Sequence, residues 1–262
     1  MFYFYIFLTF VITCLGTISG ISGGTILKPV MDMAGDYDAA AIGILAGSAV
    51  FVMSLVSFLR NLSAKGRLQP ASAASLGLGA VCGGFAGQRL LNFIITATAN
   101  DHLVKLSQNI VLAVLLLGVL AYSFSKNPKR LEFRHPAAYL AAGVSMGMFA
   151  AFLSIGGGPI NMALMMFLFN MDIKKAAIHS LLIILFAQGA KLLTVLVTQG
   201  FAAFNLMPLL PCMVVAAVAG SLLGAALNKK LSHKAVLILF GVMLCAVLCA
   251  VGFNIVKFSA AL

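Results

Sequence analysis

Two stretches of this chain combine glycines with hydroxyl and amide side chains inside otherwise apolar runs. The first is Gly20, Ser22, Gly23, Gly24 and Thr25; the second is Ser154, Gly156, Gly157, Gly158, Pro159 and Asn161. Glycine permits non-helical backbone, and Pro159 suits the first turn of a helix that follows. In lipid, irregular backbone survives only where protein or a wet cavity satisfies it. A helix that starts at such a point presents free N–H groups and the positive end of its dipole. Two such starts meeting near the bilayer midplane would make an anion site, with Ser22, Thr25 and Asn161 as further donors. The structural alternative is that these glycines only let helices pack closely. A packing glycine, however, needs no short helix after it.

Other side chains could join that chemistry. Outside the loops five basic residues remain: Lys28, Arg89, Lys105, Lys191 and Lys257. Arg89, Lys105 and Lys257 lie near the ends of apolar runs and can snorkel. Lys28 and Lys191 lie deeper, where charge is costly, so each is a candidate for drawing an anion inward, with snorkelling as the alternative. His179 could bind substrate, carry a proton or hydrogen-bond a neighbouring helix. Gln188 shares a helix face with Lys191, as a ligand donor or as interhelical glue. No acidic residue is expected in the hydrocarbon, which disfavours a carboxylate relay and favours anions.

The elements that must position these residues follow from composition. The 262 residues are 62% hydrophobic and 9% charged, with a mean hydropathy of +1.11. A soluble domain is nearer one quarter charged, so an all-α polytopic membrane protein is expected. The net charge of +11 does not imply nucleic acid, because the basic residues cluster. Arg60, Lys65 and Arg67 share one loop, and Lys126, Lys129, Arg130 and Arg134 another. Lys174 and Lys175 mark a third, and Lys229, Lys230 and Lys234 a fourth. Asp32, Asp36, Asp38 and Asp101 fall in two other loops, which is the positive-inside asymmetry of a membrane protein. The start of the chain lacks signal-peptide features, so residues 1–20 are kept as structure.

Runs long enough to span lie at about 2–19, 39–59, 70–93, 103–124, 136–155, 176–198, 204–227 and 235–256. Runs 24–34 and 158–170 are too short and suit re-entrant helices. Three motif pairs recur in order at nearly constant spacing: "ISGGTI" with "IGGGPI", "AAI" with "AAI", and Gly83-x-x-x-Gly87 with Gly220-x-x-x-Gly224. The charge-derived directions of the two sets are opposite. This predicts an inverted repeat of two five-segment halves: residues 1–125, a cytoplasmic linker 126–135, and residues 136–262. Together they hold eight full spans and two short re-entrant helices. The Gly-x-x-x-Gly pairs would pack helices within one chain or across a homodimer. The five cysteines are expected to be small buried hydrophobes. No cofactor and no metal are implied.

Paired "GISGG…P" and "SIGGGP" breaks, the "SFLRNLSAKGRLQP" loop and the "GGFAGQRL" helix together resemble the TauE/SafE family of sulfite and organosulfonate exporters. The resemblance covers nearly the whole chain. It implies a multi-pass transporter of the bacterial inner membrane, exporting sulfite or a sulfonate such as sulfoacetate and coupled to protons. It carries over only the two glycine-rich stretches as binding elements. An anion channel or a thiosulfate or sulfate importer of the same architecture are alternatives. A further rival is a rhomboid-like intramembrane serine protease, with Ser22 in Gly-x-Ser-Gly as nucleophile and His179 as base.

Overall fold

The computed structural model describes residues 1–19, 22–62, 70–123, 125, 130–206, 208–228 and 230–260. Gly20 of the first break and the basic residues Lys65, Arg67, Lys126, Lys129 and Lys229 lie outside the described residues.

Every apolar run becomes a helix. In chain order these are α1 (Phe2–Ser19), α2 (Gly24–Ala34), α3 (Ala39–Leu62), α4 (Pro70–Thr98) and α5 (Asp101–Ser123). There follow α6 (Pro136–Phe152), α7 (Gly158–Phe169), α8 (Ile173–Gln199), α9 (Leu209–Asn228) and α10 (His233–Ser259). Among the described residues no strand occurs, and seven helices are long and apolar enough to cross a membrane. The eighth expected span is α6, whose 17 residues rise only ~26 Å. It stops at Phe152 because the chain turns through Leu153–Gly157. Helix α4 runs beyond its apolar segment: Thr96 and Thr98 return their hydroxyls to the carbonyls of Asn92 and Ile94. Arg89 is therefore more than two turns from the end of α4, exposed on its outer face.

The two short helices turn back. The Tyr5 hydroxyl donates to Asp36 at 2.7 Å, so the end of α2 lies beside the start of α1. The amides of Leu131 and Phe133 donate to Phe167 and Leu168, so the end of α7 lies beside the chain entering α6. Neither α2 nor α7 crosses the bundle.

The packing is reciprocal. Helix α4 packs on α6 and α1 on α9; α4 meets α8 and α3 meets α9; α3 pairs with α8 and α5 with α10. Glycine makes the closest approaches feasible. A Cβ at Gly83 or Gly87 would overlap the carbonyl oxygens of Val144 or Met148 on α6. One at Gly220 or Gly224 would overlap those of Phe10 or Cys14 on α1. Both pairs therefore join helices within one chain. The outer surface is apolar, with Phe7, Leu78, Phe93, Val114, Val197 and Val215 exposed, as a lipid-facing surface must be. The cysteines depart from expectation: Cys14 is buried, but Cys82, Cys245 and Cys249 are exposed. A thiol is apolar enough to face acyl chains as readily as a core.

Candidate functional site

Three of the four residues from Ser154 to Gly157 have left-handed backbone: Ser154 at φ 58°, Gly156 at 76° and Gly157 at 69°. Only glycine adopts this without steric cost, which is why the sequence places two glycines there. Ser154 adopts it at a cost on the order of 1–3 kcal/mol, the kind of local strain that gathers at functional sites. Helix α7 then starts at Gly158, with Pro159 in its first turn. In the first break, Gly23 precedes α2 with φ −54°.

The two breaks touch. The Ser22 hydroxyl donates to the Ile155 carbonyl, shares a 2.9 Å bond with the Thr25 hydroxyl and accepts from the Gly158 amide at 3.2 Å. An oxygen from one break thus caps the first amide of the helix leaving the other. A Cβ on Gly24 would stand 2.7 Å from the Ile155 oxygen, and one on Gly156 would stand 3.0 Å from Ser22 Cβ. Asn161 donates to the Gly156 carbonyl at 3.3 Å, while its Oδ1 is buried with no partner. Ser180 of α8 closes the group through the Gly158 carbonyl at 3.3 Å. Ser22, Gly23, Gly24, Thr25, Gly156, Gly157, Gly158 and Asn161 are all buried there.

Lys191 belongs to the same group. Its ammonium donates to Ser154 Oγ at 2.6 Å and to the Gly43 carbonyl at 2.8 Å, and the residue is 1% exposed. Among the described residues it forms no ion pair. Gln188, one turn back, donates to the Ala150 carbonyl at 3.0 Å and leaves its Oε1 buried and unpartnered. Gly47 on α3 makes room for both: its Cβ would lie 3.2 Å from Gln188 Oε1 and 3.5 Å from Lys191 Nζ. Held by neutral oxygens, Lys191 has no paired carboxylate among the described residues to compete with an incoming anion.

Lys28 differs from expectation. Asp32, expected in the outer loop, lies in the last turns of α2, fully buried, and pairs with Lys28 at 2.6 Å. A carboxylate does therefore sit among the buried helices, because lysine and aspartate four residues apart share one helix face. Asn109 of α5 donates to the same carboxylate oxygen at 3.3 Å. Asn254 of α10 donates to the Pro29 carbonyl at 2.9 Å and to Asn109 Oδ1 at 3.3 Å. Gln108 reaches the Phe152 carbonyl at 2.6 Å, just before the second break. The sequence alone gives no role to Gln108, Asn109 or Asn254 and takes Asp32 only as a loop acid. The available signals were the Lys28-x-x-x-Asp32 spacing and polar residues within runs 103–124 and 235–256.

His179 is buried, but its Nδ1 bonds to the Lys175 carbonyl of its own helix at 2.8 Å. Its neighbour Ser180, not His179, reaches the breaks. The Ser22 hydroxyl is engaged with Ile155, Thr25 and Gly158, so Ser22 and His179 are not arranged as nucleophile and base. Two concavities lie elsewhere. One of about 640 Å³ on the outer face of α1 and α9 is lined by residues such as Phe7, Phe10 and Val215. The other, of about 230 Å³, opens near Asp38, Asn100 and Asp101. Neither reaches the glycine crossing, whose polar atoms are closed off.

The chain is similar to a probable membrane transporter protein of Methanocaldococcus jannaschii: 25% identical over 236 residues, covering 86% of this chain and 85% of that one. No solved structure matches it significantly. Residues 5–251 match the family described as sulfite exporter TauE/SafE. That match takes in both glycine breaks, Lys28, Lys191 and the helices that enclose them. On that extent of match, with an all-helical multi-pass fold around it, this chain belongs to the TauE/SafE family of membrane transporters.

Proposed function

We propose that this protein is a secondary transporter that exports a small sulfur oxyanion, sulfite or a two-carbon sulfonate such as sulfoacetate, across a bacterial inner membrane with proton coupling. The anion binds where the two breaks meet. Its contacts are the first-turn amides of α2 and α7, the polar groups of Ser22, Thr25, Asn161 and Gln188, and the Lys191 ammonium. His179 is not among the contacts we assign. One observation carries the reading: Lys191 is 1% exposed beside the second break and hydrogen-bonded only to neutral oxygens among the described residues. Burial of a lone ammonium is costly, and an anionic ligand offsets that cost directly.

Residues 1–125 and 136–262 act as two repeats of opposite topology, a reading supported by the reciprocal packing of α4 on α6 and α1 on α9. Rocking of these halves about the crossing exposes it first to one side and then to the other. The Ser22 hydroxyl on the Gly158 amide occupies the position an anion oxygen would take when the site is loaded. Closure of the crossing on all sides favours a carrier over a channel.

The test is binding and flux of sulfite, sulfoacetate, thiosulfate, sulfate and acetate with purified protein and proteoliposomes. Sulfite or sulfoacetate should bind and show saturable flux. Lys191→Met should weaken that binding by roughly 10- to 100-fold, the value of one charge-assisted hydrogen bond. Selective uptake of thiosulfate or sulfate would move the assignment to an importer, and non-saturable flux to a channel. Unchanged affinity in Lys191→Met would refute the site.

A further inference from the structure

The chain has six acidic residues, and Asp32 alone is fully buried. One of its oxygens, Oδ2, takes Lys28 at 2.6 Å and Asn109 at 3.3 Å. The other, Oδ1, is buried with no hydrogen-bond partner. Lys28 is four residues beyond Gly24, so its backbone is only ~6 Å along α2 from the glycine crossing.

We propose that Asp32 is the proton-accepting group of the transport cycle, so that a divalent oxyanion binds together with one proton and a monovalent one binds without it. This rests on the anion-site reading above and follows from charge. Lys28 and Lys191 contribute two positive charges to the buried region and Asp32 one negative charge, a sum of plus one. A monovalent anion brings that sum to zero. A divalent anion leaves one uncompensated negative charge in an apolar, closed interior, which is strongly unfavourable. A proton taken from solvent onto Asp32 Oδ1 restores neutrality and frees the Lys28 ammonium to turn toward the anion. When the anion leaves, the proton returns to solvent and the Lys28–Asp32 pair re-forms.

Two buried groups could take up a proton at the site, Asp32 and Lys191; a proton drawn to Lys191 would accompany either anion, whereas one drawn to Asp32 accompanies only the divalent one. From α1, Tyr5 is bonded to Asp36. From α5, Lys105 is paired with Asp101 at 2.7 Å and bonded to the Tyr37 carbonyl, and Asn109 is neutral. From α10, Lys257 donates to the Met33 carbonyl and Asn254 is neutral. Helix α3 carries no ionisable side chain before Arg60. On α8, His179 is twelve residues from Lys191, ~18 Å along the helix.

The experiment compares sulfate, divalent throughout the neutral range, with methanesulfonate, monovalent throughout it. Calorimetry of the full-length protein in two buffers of different protonation enthalpy counts the protons taken up. The expected result is one proton per sulfate and none per methanesulfonate. Sulfate affinity should then tighten about tenfold for each pH unit lowered, while methanesulfonate affinity stays flat. Asp32→Asn, which mimics the neutral acid, should abolish both the uptake and the slope for sulfate. Because the proton count is made on the unaltered protein, it stands even if that variant folds poorly. Sulfate binding without proton uptake, equal uptake with both anions, or uptake that persists in Asp32→Asn would each overturn the assignment. Failure of every anion to bind would remove the underlying site as well.

Discussion

Replacing Gly156 by alanine tests whether the two breaks are held in contact by backbone that only glycine can supply. Two costs can be worked separately. At φ 76° an L-residue is strained by ~1–2 kcal/mol. The added Cβ would also lie 2.8 Å from Val50 Cγ1 and 3.0 Å from Ser22 Cβ and Oγ. Overpacking of that kind costs ~1–3 kcal/mol, so Gly156→Ala should destabilise by ~2–5 kcal/mol. Val50→Ala removes the nearer obstacle but leaves the backbone strain. The double variant should therefore be less destabilised than the sum of the singles by ~0.5–3 kcal/mol. Gly252→Ala is the control, because its Cβ meets nothing within 4 Å; it should be near neutral. Unfolding in detergent followed by circular dichroism gives all four values. If Gly156→Ala melts with the wild type, or if the Val50 and Gly156 effects simply add, the breaks do not meet as described.

Other positions make separate predictions. Gly83→Leu should separate α4 from α6, because Val144 and Met148 backbone atoms already occupy the space; loss of folded monomer on size-exclusion chromatography would show it. Asp101 accepts the Ala39 amide at 2.7 Å and so caps α3 from a different helix. Asp101→Ala should lower stability by ~0.5–2 kcal/mol, read as a drop in melting temperature. Asn254→Leu removes the donor to the buried Pro29 carbonyl and should cost ~1–3 kcal/mol, with faster hydrogen exchange in α2 as the local signature.

Much of the architecture was legible because its causes are local. Hydropathy runs marked all ten helices, since lipid demands an unbroken apolar segment for each span. The breaks were legible because glycine and proline act on their own backbone, and the short runs after them could only turn back. Helix ends were less legible. Those of α4 and α6 were set by the left-handed backbone at Ala99, φ 47°, and by the turn at Leu153–Gly157.

The sequence by itself determined that this chain is a bundle of membrane-crossing helices interrupted twice by glycine, with its glycine pairs used for close packing. Only the tertiary structure decided which charges are spoken for. Lys28 and Lys191 look alike in sequence, each a lysine deep in an apolar run. Lys28 is matched by Asp32 one turn away, whereas Lys191 finds Gly43 and Ser154, which lie 148 and 37 residues distant along the chain. In a medium without water, a charge takes whatever partners the packed helices bring to it, and that depends on which helices meet.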